Sequence, residues 1–223
     1  MPGIVDTEIP LQTIIDTATS IEFDRRRIIA TSISRSQRIK TAERLTAQPW
    51  TFKITPAGAF RYNENRSILE KLYLQERVEE YEVNLANNPR LSYITNYRGD
   101  LTSEQLTGLR TTATSTASIT LDLLPAVSPG IVIFKRGDFI QPDNSRYPYT
   151  VVQDVQRGQL NTVTLNLNRP IITSENITLT NQKLRVGTDT TMRLLVVDLP
   201  SYNLVPGGLV QFSGDFRVVE RVV

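Results

Sequence analysis

The sequence predicts a mainly β chain, an antiparallel sandwich or barrel with one α-helix. Three observations carry this. Apolar and polar residues alternate with a period of two over many short runs, Pro, Gly, Asn and Asp clusters separate the runs, and helices and strands never alternate in the rhythm of a parallel sheet. At 223 residues the chain is long enough to bury a core without covalent staples.

Residues 6–20 read as an arm that docks onto something, because Ile9, Leu11, Ile14 and Ile15 are scattered among Thr and Asp without a clear period. From Ile21 the chain alternates, with Ile21, Phe23, Arg25, Arg27, Ile29, Thr31, Ile33 and Arg35 on one side, which predicts a β-branched strand. A second alternating run, 50–55, stops at Pro56-Ala57-Gly58, where proline fixes φ and glycine relaxes it. A helix is predicted from an N-cap at Asn63 or Asn65 to about Arg77, since Ile68, Leu69, Leu72 and Tyr73 share one face. The period then returns to two, with Tyr81, Val83 and Leu85 alternating against Glu80, Glu82 and Asn84 until Asn87-Asn88-Pro89. Residues 91–95 read as a strand, 102–106 as a short helical turn, and the threonine-rich 109–118 as a linker, because small hydroxyl residues offer little to bury. Further strands are predicted over 119–124, 130–141, 149–155, 162–167, 177–180, 192–197 and 209–219.

Composition removes much of ordinary enzymology. The absence of histidine and cysteine excludes disulfides, thiolate metal sites, the commonest general base and the commonest metal ligand. Asp138, Asp154, Asp189, Asp198 and Asp215 sit singly beside Gly, Arg or turns, where carboxylates bond local backbone amides. No phosphate-binding glycine loop, HExxH or GxSxG motif occurs. The sequence is therefore read as non-enzymatic, with no cofactor and no metal site. No apolar run reaches the roughly 20 residues of a membrane span, and the N-terminus lacks a secretory layout, so a soluble chain made in a cytoplasm is expected. Arg136-Gly137-Asp138 spells a cell-adhesion tripeptide, but it lies between Ile133-Phe134 and Phe139-Ile140 and is read as a bend between apolar strand residues. Asn65-Arg66-Ser67 and Asn176-Ile177-Thr178 match a glycosylation acceptor and are read as unmodified.

The net charge of +2 names no partner, but the charge is segregated. Arg25, Arg26, Arg27, Arg35, Arg38, Lys40 and Arg44 crowd one segment, relieved by Asp24 and Glu43, whereas Glu64, Glu70, Glu76, Glu79, Glu80 and Glu82 dominate the next. One reading is two solvated faces or intrachain pairs worth at most ~1 kcal/mol each. The other is a basic hairpin of one subunit meeting the acidic helix of its neighbour, head to tail, closing a ring. Phosphate contacts to nucleic acid rank lower, because residues 25–44 hold no aromatic platform.

Four blocks of the second half stand in a fixed order: Phe134-Lys135-Arg136-Gly137-Asp138-Phe139-Ile140-Gln141, then Tyr147-Pro148-Tyr149-Thr150-Val151-Val152-Gln153-Asp154-Val155, then Val163-Thr164-Leu165-Asn166-Leu167-Asn168-Arg169-Pro170, and finally Pro206-Gly207-Gly208-Leu209-Val210-Gln211-Phe212-Ser213-Gly214-Asp215-Phe216. Together they resemble a family of structural proteins from the distal tail or baseplate of tailed bacteriophages. Their order carries the resemblance more than any one block, and it covers about 130–220. The N-terminal half is similar to the family only in layout.

The resemblance implies a tail-tube-like β-domain made of 21–105 plus 191–223, with its helix near 64–77 and an N-terminal arm at 1–20. A small β-domain, 106–190, is inserted as a second small barrel. It further implies a virion structural protein, assembled in the host cytoplasm as a six-fold homo-oligomeric ring. That ring adapts the tail tube to the baseplate proteins, with no membrane and no sequence-specific nucleic acid, although the genome passes through it. The resemblance brings no active site to carry over. A neck or tail-terminator protein is the alternative within the class. From another class, a carbohydrate-binding β-sandwich would stack sugar on Trp50, Tyr147 and Tyr149.

Overall fold

A computed structural model describes residues 9–25, 29–33, 39–43, 49–58, 60–74, 79–172 and 178–222. The expected class is observed: the chain is mainly β, and every strand pairing is antiparallel. Strands are numbered in chain order.

The largest sheet has the order β1 (Ser20–Asp24), β4 (Thr51–Thr55), β18 (Phe216–Glu220), β15 (Met192–Asp198), β6 (Glu80–Val83). Period-two alternation sorts its faces. Phe52, Ile54, Val83, Met192, Leu194, Val196, Phe216 and Val218 are buried, while Glu22, Lys53, Glu82 and Arg217 are exposed. Helices α1 (Pro10–Thr17) and α2 (Tyr62–Leu74) add Leu11, Ile14, Ile15, Ile68, Leu69 and Leu72 to the same core. A small sheet of β16 (Tyr202–Val205), β17 (Leu209–Phe212) and β5 (Phe60–Arg61) flanks it. Its hairpin turns at Gly207 and Gly208, whose φ of +92° and +72° suit only glycine.

Helix α1 corrects the expectation of an irregular arm at these positions. Leu11, Ile14 and Ile15 are one face of a helix, and Pro10 occupies its first turn, where a missing N–H costs nothing. Eight residues do not hold a helix in water. Burying three large aliphatic side chains, at roughly 1.5–3 kcal/mol each, does.

A second core lies under three smaller sheets. These are β7 (Arg110–Ser115), β8 (Ser118–Asp122) and β13 (Val163–Asn166); β9 (Val132–Phe134) with β12 (Val155–Gln156); and β10 (Phe139–Pro142) between β11 (Tyr149–Thr150) and β14 (Leu184–Val186). Helix α3 (Ser103–Thr107) opens on a reciprocal cap, with Thr102 and Gln105 each bonding the other's backbone N–H. The cores meet at β10, where Phe139 points into the first and Ile140, its neighbour on the opposite face, into the second.

Several expectations are corrected. There are three α-helices among the described residues, not one; of the two predicted N-cap residues, Asn63 lies in the first turn of α2, whereas Asn65 stands at a kink where the backbone leaves helical geometry, with φ −122° and ψ 16°, before the helix continues to Leu74. The threonine-rich 109–118 is no linker: β7 pairs with β8, and Thr111 is buried, donating its hydroxyl to the Leu179 carbonyl. The predicted strand 91–95 is a 3₁₀ turn over Ser92–Ile94, held because Leu91 and Ser92 both donate to the Asn88 carbonyl. The long runs 21–35, 130–141 and 209–219 each divide between two sheets. The second breaks where Gly137 takes a φ of +90°, and the third at Ser213-Gly214, where Ser213 donates to the Ser201 carbonyl. No closed barrel forms among the described residues, and the second core is covered by separate short sheets instead.

Candidate assembly interface

The basic segment contains β2 (Ile29–Ile33) and β3 (Ile39–Glu43), a two-stranded antiparallel ribbon in register from Ile29 opposite Glu43 to Ile33 opposite Ile39. Among the described residues no third strand joins it. Its root is wedged between the cores. Phe23, on β1, stacks on Phe52 with ring centroids 4.7 Å apart and meets Trp50 edge-on at 5.1 Å. Arg25 lies 5.5 Å from the Phe23 ring centroid and donates to the Thr150 hydroxyl of the second core at 3.2 Å.

Trp50 is also the wall of a buried charge clamp. Arg169, in the turn after β13, is 5% exposed, and Glu220, at the end of β18, is 2% exposed. Both prongs of the guanidinium reach the carboxylate, with Nη2 donating to Oε1 at 2.8 Å and Nη1 to Oε2. Nη2 also donates to the Pro148 carbonyl, and the guanidinium carbon stands 4.1 Å from the Trp50 ring centroid and 5.4 Å from that of Tyr149. Trp50 closes the circuit: its N–H donates to Glu220 Oε2, and its carbonyl accepts from Glu220 N–H at 2.8 Å. The clamp therefore joins the last strand of the large sheet to the second core. Burial pushes the Tyr149 hydroxyl pKa upward, and that hydroxyl accepts the Ile172 N–H at 3.1 Å.

On the opposite edge of the large sheet stand the predicted acidic residues. Glu80 approaches Arg221 at 3.2 Å and Arg193 at 3.7 Å, while Glu82 approaches Arg193 at 3.7 Å and accepts the Thr191 hydroxyl at 2.9 Å. Glu79 is exposed just before β6, and Glu70 is half-buried on α2. Lys40 lies on β3 opposite Ser32. Arg26, Arg27, Arg35, Arg38, Arg44 and Glu76 lie outside the described residues.

The adhesion-like tripeptide is a tight turn whose aspartate faces inward. Asp138 is fully buried and accepts the N–H groups of Lys135 at 2.8 Å and Arg98 at 3.1 Å, with the Arg98 Nε at 3.6 Å. Burial raises its pKa, and those hydrogen bonds oppose the shift. Asp154 accepts the Arg136 N–H at 2.8 Å, and Asp215 pairs with Lys53 at 3.0 Å. Among the described residues no three carboxylates gather into a possible metal site. Trp50, Tyr147 and Tyr149 are all buried, so they form no sugar-stacking platform.

Sequence reasoning missed Arg169, Glu220, Phe23 and Phe139 as determinants of the joint. A signal existed for Glu220, which shares the core-facing parity of Phe216 and Val218. No protein-family model matches the chain, and no curated protein matches it.

Proposed function

We propose that the chain is a non-enzymatic structural protein of a bacteriophage tail, an adaptor ring at the junction of tail tube and baseplate. The observation that carries this reading is the ribbon of β2 and β3 within the basic segment, which finds no third strand among the described residues and is rooted between two cores. A lone two-stranded ribbon is marginal in water, so a ribbon retained on a packed scaffold is suited to pair with another molecule. The four ordered blocks that resemble distal tail proteins and the missing histidine and cysteine support the same reading. The partners are further copies in a six-fold ring and the tube and baseplate proteins above and below; the location is the virion tail.

Immunogold electron microscopy of virus particles with an antibody against this chain tests the reading. Label confined to the distal tail is the expected result. Label at the head-proximal end moves the protein to the neck, and absence of label from both intact and disrupted particles overturns the virion assignment.

A further inference from the structure

On its outer edge, β14 leaves one carbonyl and one N–H without a partner. The Lys183 carbonyl accepts the Asp143 N–H at 2.9 Å, so Lys183 and Arg185 turn their backbones toward β10, while Gln182, Leu184 and Val186 turn theirs away. The end of β7 takes the first of these outward groups. Thr111 N–H donates to the Gln182 carbonyl at 3.0 Å, and the bridge between Arg110 and Lys183 sets the Leu184 N–H against the Leu109 carbonyl. The Val186 carbonyl opens the 3₁₀ turn Gly187–Asp189. The Leu184 carbonyl and the Val186 N–H are left over, and among the described residues no backbone group bonds them. Both residues are buried, where a backbone group without a partner costs free energy.

This edge lines a groove of about 480 Å³, whose other wall carries Tyr97, Leu101 and Leu106 and whose mouth holds Thr188 and Asp189. A carbonyl and an N–H two residues apart are what one residue of a parallel strand bonds, its N–H to the first and its carbonyl to the second. An antiparallel strand needs both groups of one residue, and Leu184 and Val186 each have one taken.

We infer that the N-terminal segment of the same chain, within 1–8, fills this groove as a short parallel strand beside β14; the inference is independent of the tail reading. Two observations select this occupant. The first is where the segment ends. Gln12, one turn into α1, bonds the Asn84 backbone at 2.7 and 2.9 Å, and the Asn84 side chain donates to the Thr188 carbonyl at 2.9 Å, so α1 begins beside the mouth of the groove. Eight extended residues span about 26–29 Å, enough to run from Ile9 past Thr188 and along β14. The second is direction. A segment that ends at Ile9 near Thr188 enters from the Lys183 end, so it runs the same way as β14, as the free pair of groups requires.

Alternation then sorts the side chains. Val5 and Thr7, both β-branched, face Leu101 and Leu106, because the other parity would set Asp6 and Glu8 against that apolar wall. Leu101, Leu184 and Val186 belong to the second core and α1 to the first, so the strap ties the cores through residues that the Arg169–Glu220 clamp does not use.

Amide exchange in the full-length chain reads the groove directly. The Val186 N–H should exchange slowly in the wild-type protein and at least about tenfold faster in a Val5→Asp, Thr7→Asp variant, whose carboxylates cannot face Leu101 and Leu106. The Arg185 N–H, which bonds across to β10, is the internal control and should not change. Equal Val186 rates in the two proteins overturn the strap. The cysteine-free chain permits a second measurement, oxidation of Thr7→Cys paired with Ser103→Cys or Thr107→Cys, two sites on the groove wall. The expected product is a disulfide within one chain, at least about tenfold above a pairing with Leu160→Cys, an exposed site away from the groove wall. Linked pairs of chains that grow with concentration would assign the groove to a second copy's segment and overturn the same-chain occupant, and so would the absence of any disulfide above the control.

Discussion

Arg169 and Glu220, 51 residues apart, face each other as a two-pronged ion pair, with Nη2 to Oε1 at 2.8 Å and Trp50 and Tyr149 shielding the guanidinium. A pair this buried is costly to desolvate, so its presence says little about net stability, but breaking it strands a charge. Its place matters more. It ties the closing strand of the large sheet to the second core, beside the root of the ribbon.

Removing one member of the clamp should therefore cost far more than removing both. Arg169→Met and Glu220→Leu are each expected to destabilise by about 3–5 kcal/mol, whereas the double variant should recover most of that loss. Urea unfolding followed by the fluorescence of Trp50, the chain's single tryptophan, reports the joint directly. Additive losses would mean that the pair is not coupled.

Gly99 is required by space. A Cβ there would overlap the Tyr97 hydroxyl and the Ile133 carbonyl, which are bonded to each other, so the backbone itself blocks relief. Gly99→Ala should cost about 1–3 kcal/mol or more. Gly58, with nothing within 4 Å of its own added Cβ, should accept alanine within about 0.5 kcal/mol. Thermal melts of the two variants make the comparison.

Two aspartates should act with opposite signs in acid. Asp138 is held above the ordinary carboxylate value by burial, so its contribution is greatest while it is protonated and is lost as pH rises through its folded pKa. Asp215 is held below that value, first by a Thr55 side-chain hydrogen bond and then by Lys53, so its contribution is present at neutral pH and is lost as pH falls through its folded pKa. Carboxyl-carbon NMR titration should place Asp138 above and Asp215 below an unstructured aspartate, and the reverse order would refute the assignment.

Charge reversal in the basic segment tests the proposed ring. Replacing Arg27, Arg35 and Arg38 with glutamate should block closure while leaving the far-ultraviolet dichroism of the monomer unchanged. Sedimentation at low and high salt reads the result; assembly at normal yield by the triple variant would count against charge-guided contacts.

The candidate interface was partly legible in the sequence. Basic and acidic segments stand out as runs, and the alternation around Tyr81, Val83 and Glu82 announces β6. What could not be read is that β6 ends a sheet whose other edge is β1, because strand order joins residues from 20 to 220. The helix at Pro10–Thr17 shows a different failure. Its three buried aliphatics do have helical spacing, but eight residues are too few for the period to stand out from chance.

The β class, the lack of histidine and cysteine chemistry, and the inward side of most strands follow from the order of residues alone, since these depend on composition and on a period of two along the chain. Long-range packing sets where the long runs break between sheets, sends Phe139 and Ile140 to different cores, and brings Arg169 to Glu220. Alternation says that a residue faces inward but not what it meets there. The partner is chosen by packing between segments far apart in sequence, and a burial pattern read along one strand carries no term for it.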